Sequence, residues 1–215
     1  MSNVLPFPID FSPDTLREAV DCLGQGGIVA LATESFYALA AGVTHPEAIE
    51  RVMRMKGERA EKPILVLIGE KRQLCELVST IPPLAEPLMN QFWPGPLTLI
   101  FPALPHLSSV LTKRTGTIGV RLPKGAHLRS LLCETGPVTG TSANRSGAQP
   151  TLTAQEVQKE FGETIDLILD SGPAPGGQPS TVMNMVGELH IIRQGPIQAE
   201  SIDQALALKI GRPWH

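Results

Sequence analysis

Residues 28–68 read IVALATESFYALAAGVTHPEAIERVMRMKGERAEKPILVLI, and this stretch decides the fold class. The run at 28–32 is short and apolar, the signature of a buried strand. Thr44-His45-Pro46-Glu47 then has the spacing of a capping box, and Ile49, Val52, Met53 and Lys56 continue it at helical intervals. Gly57 stops that helix, and the run at 64–68 (ILVLI) is a second strand. Strand, helix, strand within so short a stretch is the unit of an α/β domain.

Reading outward, the unit recurs. Ser12 before Pro13 starts a helix, Leu16, Ala19, Val20 and Leu23 share one face, and Gly24, Gly26 and Gly27 end it. Helical stretches near 71–79 and 84–92 precede a strand at 97–103. A strand at 118–122 leads to a helix near 126–134 and to PVTGT at 137–141. Thr153 and Glu156 form a second capping box, opening a helix to about 161, and a strand follows at 165–169. Residues 181–186 and 188–193 form a hairpin around Gly187, which makes a mixed sheet the expectation. The Gly/Pro-rich stretch 171–180 lies between two strands and reads as a loop. The expected architecture is one α/β domain over 1–215, with a twisted, open, mixed sheet and flanking helices.

Composition narrows the function. Hydrophobic residues make up 42% of the 215 and charged ones 18%, enough for a large core with a solvated surface. The net charge is −3 and aromatics are 4%, which argues against an overall basic, base-stacking nucleic-acid binder. Cys22, Cys75 and Cys133 form no CxxC pair, so neither a zinc site nor a disulfide framework is expected, and a cytoplasmic protein is the plain reading. No signal-peptide pattern opens the chain, and no run approaches the roughly 18 apolar residues of a membrane span.

Five polar stretches fall at the ends of the apolar runs: 33–35, 56–62, 117–121, 141–147 and 179–181. Ligands gather at strand ends in α/β sheets. Cations, hydroxyls and glycine-flanked amides without a Cys/His cluster suit an anionic ligand. Neither GxSxG nor GxxxxGK[ST] is present, which excludes a nucleophile elbow and a Walker loop. Each stretch alone has a plainer explanation. Lys56, Arg59 and Lys62 could be a solvated helix end. Ser142, Asn144 and Gly147 could be turn chemistry. Arg121, inside IGVRLP, either faces outward from a half-buried strand or points into a polar cavity.

Taken in order, the motifs resemble one family. ATESFYALAAG at 32–42, KGERAEKPILVLI at 56–68, WPGPLTLIF at 93–101, TIGVRLP at 117–123, TGTSANRSG at 139–147 and PSTVMNM at 179–185 followed by IIRQGPI at 191–197 are similar to the ordered motifs of YrdC/TsaC-type proteins. The resemblance runs from about residue 10 to 197 and fits the single-domain type. It implies a sheet wrapped around a deep, basic cavity. It also implies synthesis of threonylcarbamoyl-AMP and pyrophosphate from L-threonine, bicarbonate and ATP, with magnesium accompanying ATP. The product would serve a tRNA modification, so tRNA or threonylcarbamoyl-transferase proteins are the implied partners. Carried over residue by residue, Thr33, Arg121, Gly140 and Ser180 would hold threonine. Lys56, Arg59, Lys62, Thr117, Ser142, Asn144 and Arg193 would hold ATP, with Lys56 and Arg59 also catalytic.

The chain departs from the motifs in places. Ala32 and Ala38 replace the usual Pro and Gly, and Glu58 stands where the family's arginine stands, with Arg59 one position later. One residue turns a helical side chain by about 100°. Two other readings stay open here: a related ATP-dependent carbamoyl adenylylation with another acceptor, and an RNA-binding or ribosome-maturation protein.

Overall fold

The computed structural model describes residues 3–8, 10–57 and 64–210, with side chains to residue 207. Strand β1 (Asn3–Pro6) precedes helix α1 (Pro13–Gly24), which starts as its sequence dictates: Ser12 accepts a hydrogen bond from the Thr15 amide at 3.1 Å. Strands β2 (Val29–Ala32) and β3 (Tyr37–Ala40) form an antiparallel hairpin across the polar turn at 33–36. Helix α2 (Pro46–Lys56) follows, closed by Gly57 in the left-handed region at φ 67°. Its N-cap differs from expectation. His45 occupies the position, no side chain caps the helix, and Thr44 forms no capping box; Pro46, with its preset φ, starts the helix instead.

Strand β4 (Leu65–Leu67) leads to a 3-10 turn at Lys71–Glu76, shorter than the helix expected there. Then come α3 (Ala85–Phe92), β5 (Leu97–Pro102), α4 (Ser109–Thr112), β6 (Thr117–Arg121) and α5 (Ala126–Thr135). Two short strands, β7 (Val138–Thr139) and β8 (Thr141–Ser142), precede α6 (Ala154–Phe161). The Thr153/Glu156 capping box of α6 forms as read. Strands β9 (Leu167–Asp170), β10 (Thr181–Asn184) and β11 (His190–Arg193) and helix α7 (Ala199–Ile210) complete the order. The β10–β11 hairpin is antiparallel, with Gly187 at φ 70° in its turn.

The mixed pairing matches expectation, but the strands divide between two sheets. One has the order β1-β9-β2-β3-β8, the other β11-β10-β5-β6-β4-β7. The stretch 137–141 leads into both sheets, because β7 belongs to one and β8 to the other. Gly140 is the crossing point. A Cβ there would lie 2.5 Å from Cγ of Leu67, so only glycine lets the chain pass that side chain. Thr139 joins the two edges through its hydroxyl, which accepts from the Ala41 amide at 2.9 Å and donates to Leu39 O at 3.2 Å.

The apolar run in β2 now has its reason. Val29 and Leu31 pack into one core with α1 and α5, while Ala30 packs into the other with α2 and α6. Both faces are covered, so alternation disappears. Among the described residues, no helix is long and apolar enough to cross a membrane.

Candidate active site

Side chains on a strand alternate between its two faces. On the second sheet, one face carries Leu65 and Leu67 from β4, Thr98 and Ile100 from β5, and Gly119 and Arg121 from β6. Ser180 and Val182 extend that row. This face lines a cleft of about 840 Å³, to which the 33–38 turn and residues 140–142 of the first sheet's edge also contribute. That volume lies within the range of small-molecule sites.

Arg121 is 4% exposed and belongs to the cleft, which settles the alternatives left by its sequence context. Its Nε donates to Gly95 O at 3.2 Å, and its Nη2 lies 2.5 Å from Glu34 Oε1. The second contact is close enough for an ion pair but poorly aligned for a hydrogen bond, and Nη2 and Glu34 Oε2 both lack a hydrogen-bond partner. The WPGPLT segment therefore braces Arg121. Its Trp93–Pro94 bond is cis, Trp93 Nε1 donates to Leu97 O at 2.7 Å, and Gly95 presents its carbonyl to the guanidinium.

Ser180, 2% exposed, sits between two partners. Its Oγ lies 2.8 Å from Thr98 Oγ1 and accepts from Arg193 Nη2 at 3.2 Å. Arg193 also donates twice to Ser180 O, at 3.1 and 2.9 Å, from its place at the rim. Partial burial, and then the like charge of Arg121, pull the Arg193 guanidinium below its usual value. Two cations sharing one cleft favour an anionic occupant. Thr33 lines the cleft too, although its hydroxyl donates to Phe36 O at 2.8 Å and so shapes the turn as well.

The residues near the loop after β8 behave differently. Lys56, expected to face phosphate, is 2% exposed and lies beneath this loop. Its Nζ donates to Ser142 O at 2.5 Å and Asn144 O at 2.8 Å, while its own carbonyl accepts from the Ser146 amide. Asn144 ties the loop to itself through Arg145 O and Ala148 O, leaving Oδ1 buried without a hydrogen-bond partner. Ser142 reaches the cleft lining; Lys56 and Asn144 do not. Thr117 is not in the lining either. It starts β6, about 13 Å along the strand from Arg121, and its hydroxyl meets Thr115 Oγ1 at 2.8 Å. Arg59 and Lys62 lie outside the described residues.

The cleft thus brings together Thr33, Arg121, Gly140, Ser142, Ser180 and Arg193 from positions scattered along the chain. Sequence reasoning missed Glu34, Gly95 and Thr98. Each lies inside a motif that it quoted, but their contacts cross between strands and leave no local trace.

The Sua5/YciO/YrdC family model, described as telomere recombination, matches residues 21–195. The chain belongs to this family. A relative named threonylcarbamoyl-AMP synthase, from Coxiella burnetii (strain RSA 493 / Nine Mile phase I), is 31% identical over 84% of this chain and 98% of its own length. Another of that name, from Pyrococcus abyssi, is 33% identical over 89% of this chain and 57% of its own. The crystal structure of P. abyssi Sua5 complexed with L-threonine matches with a TM-score of 0.90 at 30% identity, over 95% of this chain and 61% of that one. The chain therefore spans well under two thirds of some family members and nearly the whole of others. Escherichia coli YciO shares the fold at a TM-score of 0.83 and 23% identity.

Proposed function

We propose that the chain is an L-threonylcarbamoyladenylate synthase. The observation that carries this reading is Arg121. It is a buried guanidinium on the cleft-facing side of an apolar strand, beside the Ser180 hydroxyl, in a chain whose relatives bear that name. A family member complexed with L-threonine supports the substrate.

In this reading Arg121 and Ser180 receive the threonine carboxylate, and Thr33 and Gly140 enclose its other end. The threonine amine, once deprotonated, adds to bicarbonate with loss of water and gives a carbamate. A carbamate oxygen then attacks the α-phosphorus of ATP, and pyrophosphate leaves. No covalent enzyme intermediate is required. Catalysis rests on holding the reactants together and on cations facing the phosphates. Arg59, Lys62 and Arg193 would supply that charge and Ser142 a hydroxyl. Lys56 would act by fixing the loop that carries Ser142 and Asn144.

Magnesium would arrive with the triphosphate. Among the described residues no three His, Cys, Asp or Glu side chains gather, so phosphate oxygens and water would complete its shell, as this ion prefers. There it would neutralise charge on the phosphates. The adenylate would pass to proteins that modify tRNA.

The test is incubation with ATP, magnesium, bicarbonate and labelled threonine. A labelled adenylate and pyrophosphate should form only when all are present. Equal pyrophosphate release without threonine would refute the assignment.

A further inference from the structure

Three large apolar residues are exposed among those described, Ile81, Leu152 and Ile192, and of them only Ile192, at 47% exposure, lines the cleft. Its neighbour Arg193 lines the cleft as well. Consecutive residues of a regular strand point to opposite faces, so this pair needs a cause. The register supplies it. Met183 pairs with Ile191 and Val182 with Arg193, so one step along β10 answers two along β11, and Ile192 is the extra residue of a β-bulge. Ile191 packs against the core, while Ile192 and Arg193 both turn to the cleft.

The segment that carries the bulge is held from both sides. In the cleft, Arg193 donates to Ser180 O and Oγ. On the opposite face of β10, Thr181 is 0% exposed. Its hydroxyl accepts from the amides of Gly195 and Ile197 at 3.0 Å each and donates to Ile197 O at 2.9 Å. A Cβ at Gly195 would lie 2.3 Å from Pro179 O, so only glycine lets the chain settle on that backbone. A fixed frame therefore keeps an isoleucine in the mouth of the cleft, where nothing in the fold covers it.

We propose that Ile192 is a substrate-contacting residue that, with Val182 and Pro179, forms the apolar wall for the nucleobase of ATP. This rests on the reading of the chain as a synthase that consumes ATP. Arg121 and Ser180, 4% and 2% exposed, seat threonine at the buried end of the cleft. Threonine offers a single methyl group, whereas ATP carries a flat, uncharged base that gains by leaving water. The charge of Arg193 lies one residue away, as the anionic and apolar parts of one nucleotide require.

Calorimetric titration with ATP and with inorganic tripolyphosphate, which has the charge but no base, tests this. Ile192→Ala should weaken ATP binding about three- to tenfold and leave tripolyphosphate within about twofold, because the lost contact is apolar. Ile192→Leu, which keeps the volume, should bind ATP like the parent. The KM for ATP should rise in step in Ile192→Ala while the KM for threonine holds. Because Ile192 is half exposed, the melting temperature should stay at the parent's. Unchanged ATP binding in Ile192→Ala, an equal loss for tripolyphosphate, or a rise confined to the threonine KM overturns the proposal. If the parent binds ATP yet shows no threonine-dependent turnover, the functional reading fails, and the titrations alone decide the base contact. A parent that binds no ATP overturns both.

Discussion

Glu34 holds a carboxylate oxygen 2.5 Å from Nη2 of Arg121, in a seat where the Glu34 side chain is 17% exposed and the arginine nearly dry. Glu34 Oε1 also accepts from the Lys124 amide at 3.2 Å, which fixes it in place. A buried cation without a counter-charge is expensive, and Glu34 supplies that counter-charge to Arg121. Because the pair is close yet poorly aligned, Arg121 keeps hydrogen-bonding capacity that a ligand carboxylate can take up.

Removing Arg121 should therefore have two separable effects. Arg121→Ala is expected to raise the threonine requirement about ten- to a hundredfold, the worth of one charged hydrogen-bonding partner. It should also lower the melting temperature, since the partly buried Glu34 is left without its counter-charge. Adding Glu34→Gln should restore part of the melting temperature and none of the threonine affinity. Unchanged threonine dependence in a folded Arg121→Ala protein would remove Arg121 from the site.

Lys56 supports the loop after β8 from below. Lys56→Met keeps much of the buried volume but abandons the carbonyls of Ser142 and Asn144. The expected cost is about 2–4 kcal/mol, from losing charged hydrogen bonds and stranding two acceptors. The denaturant midpoint should fall, and limited proteolysis should cut sooner within 142–148. A midpoint equal to the parent's would show that the loop holds itself.

Glu58 and Arg59 lie outside the described residues, so this prediction stands on sequence alone. Arg59→Ala should weaken ATP use strongly. Glu58→Ala should match or exceed the parent, because it removes a negative charge near phosphate. The reverse order in steady-state kinetics would mean that the wrong residue has been assigned to the triphosphate. Changes below about twofold in both variants would mark a solvated helix end.

Burial, and then the charges of Asp166 and Glu18, push the Cys22 thiol up to about 11 from 9.0. Between those values the folded chain holds a proton that the unfolded chain has released. Stability from this group is full below about pH 9 and lost as pH rises through 11. Melting temperatures across pH 8–11 should fall less steeply in Cys22→Ala than in the parent. Parallel curves would show that Cys22 ionises without consequence.

What the sequence determined by itself was whatever depends on neighbours along the chain. Ser12 and Pro13 start α1, Thr153 and Glu156 cap α6, and Gly187 turns the final hairpin, because caps and turns close within a few residues. The ordered motifs likewise marked six residues that meet in the cleft. Less was legible where local signals were weak or misleading. The short strands β1 and β3 and helices α4 and α7 passed unread, and Thr44 offered a cap that Pro46 made unnecessary. Only the tertiary structure decided that 137–141 serves two sheets. That depends on Gly140 slipping past Leu67, a side chain from a distant strand. Only the structure set Glu34 and Gly95 on Arg121, Thr98 on Ser180, and Lys56, expected to face phosphate, beneath the loop after β8. Those contacts follow from strand register and from burial, which forces each hidden charge or hydroxyl to find a partner wherever the fold brings one.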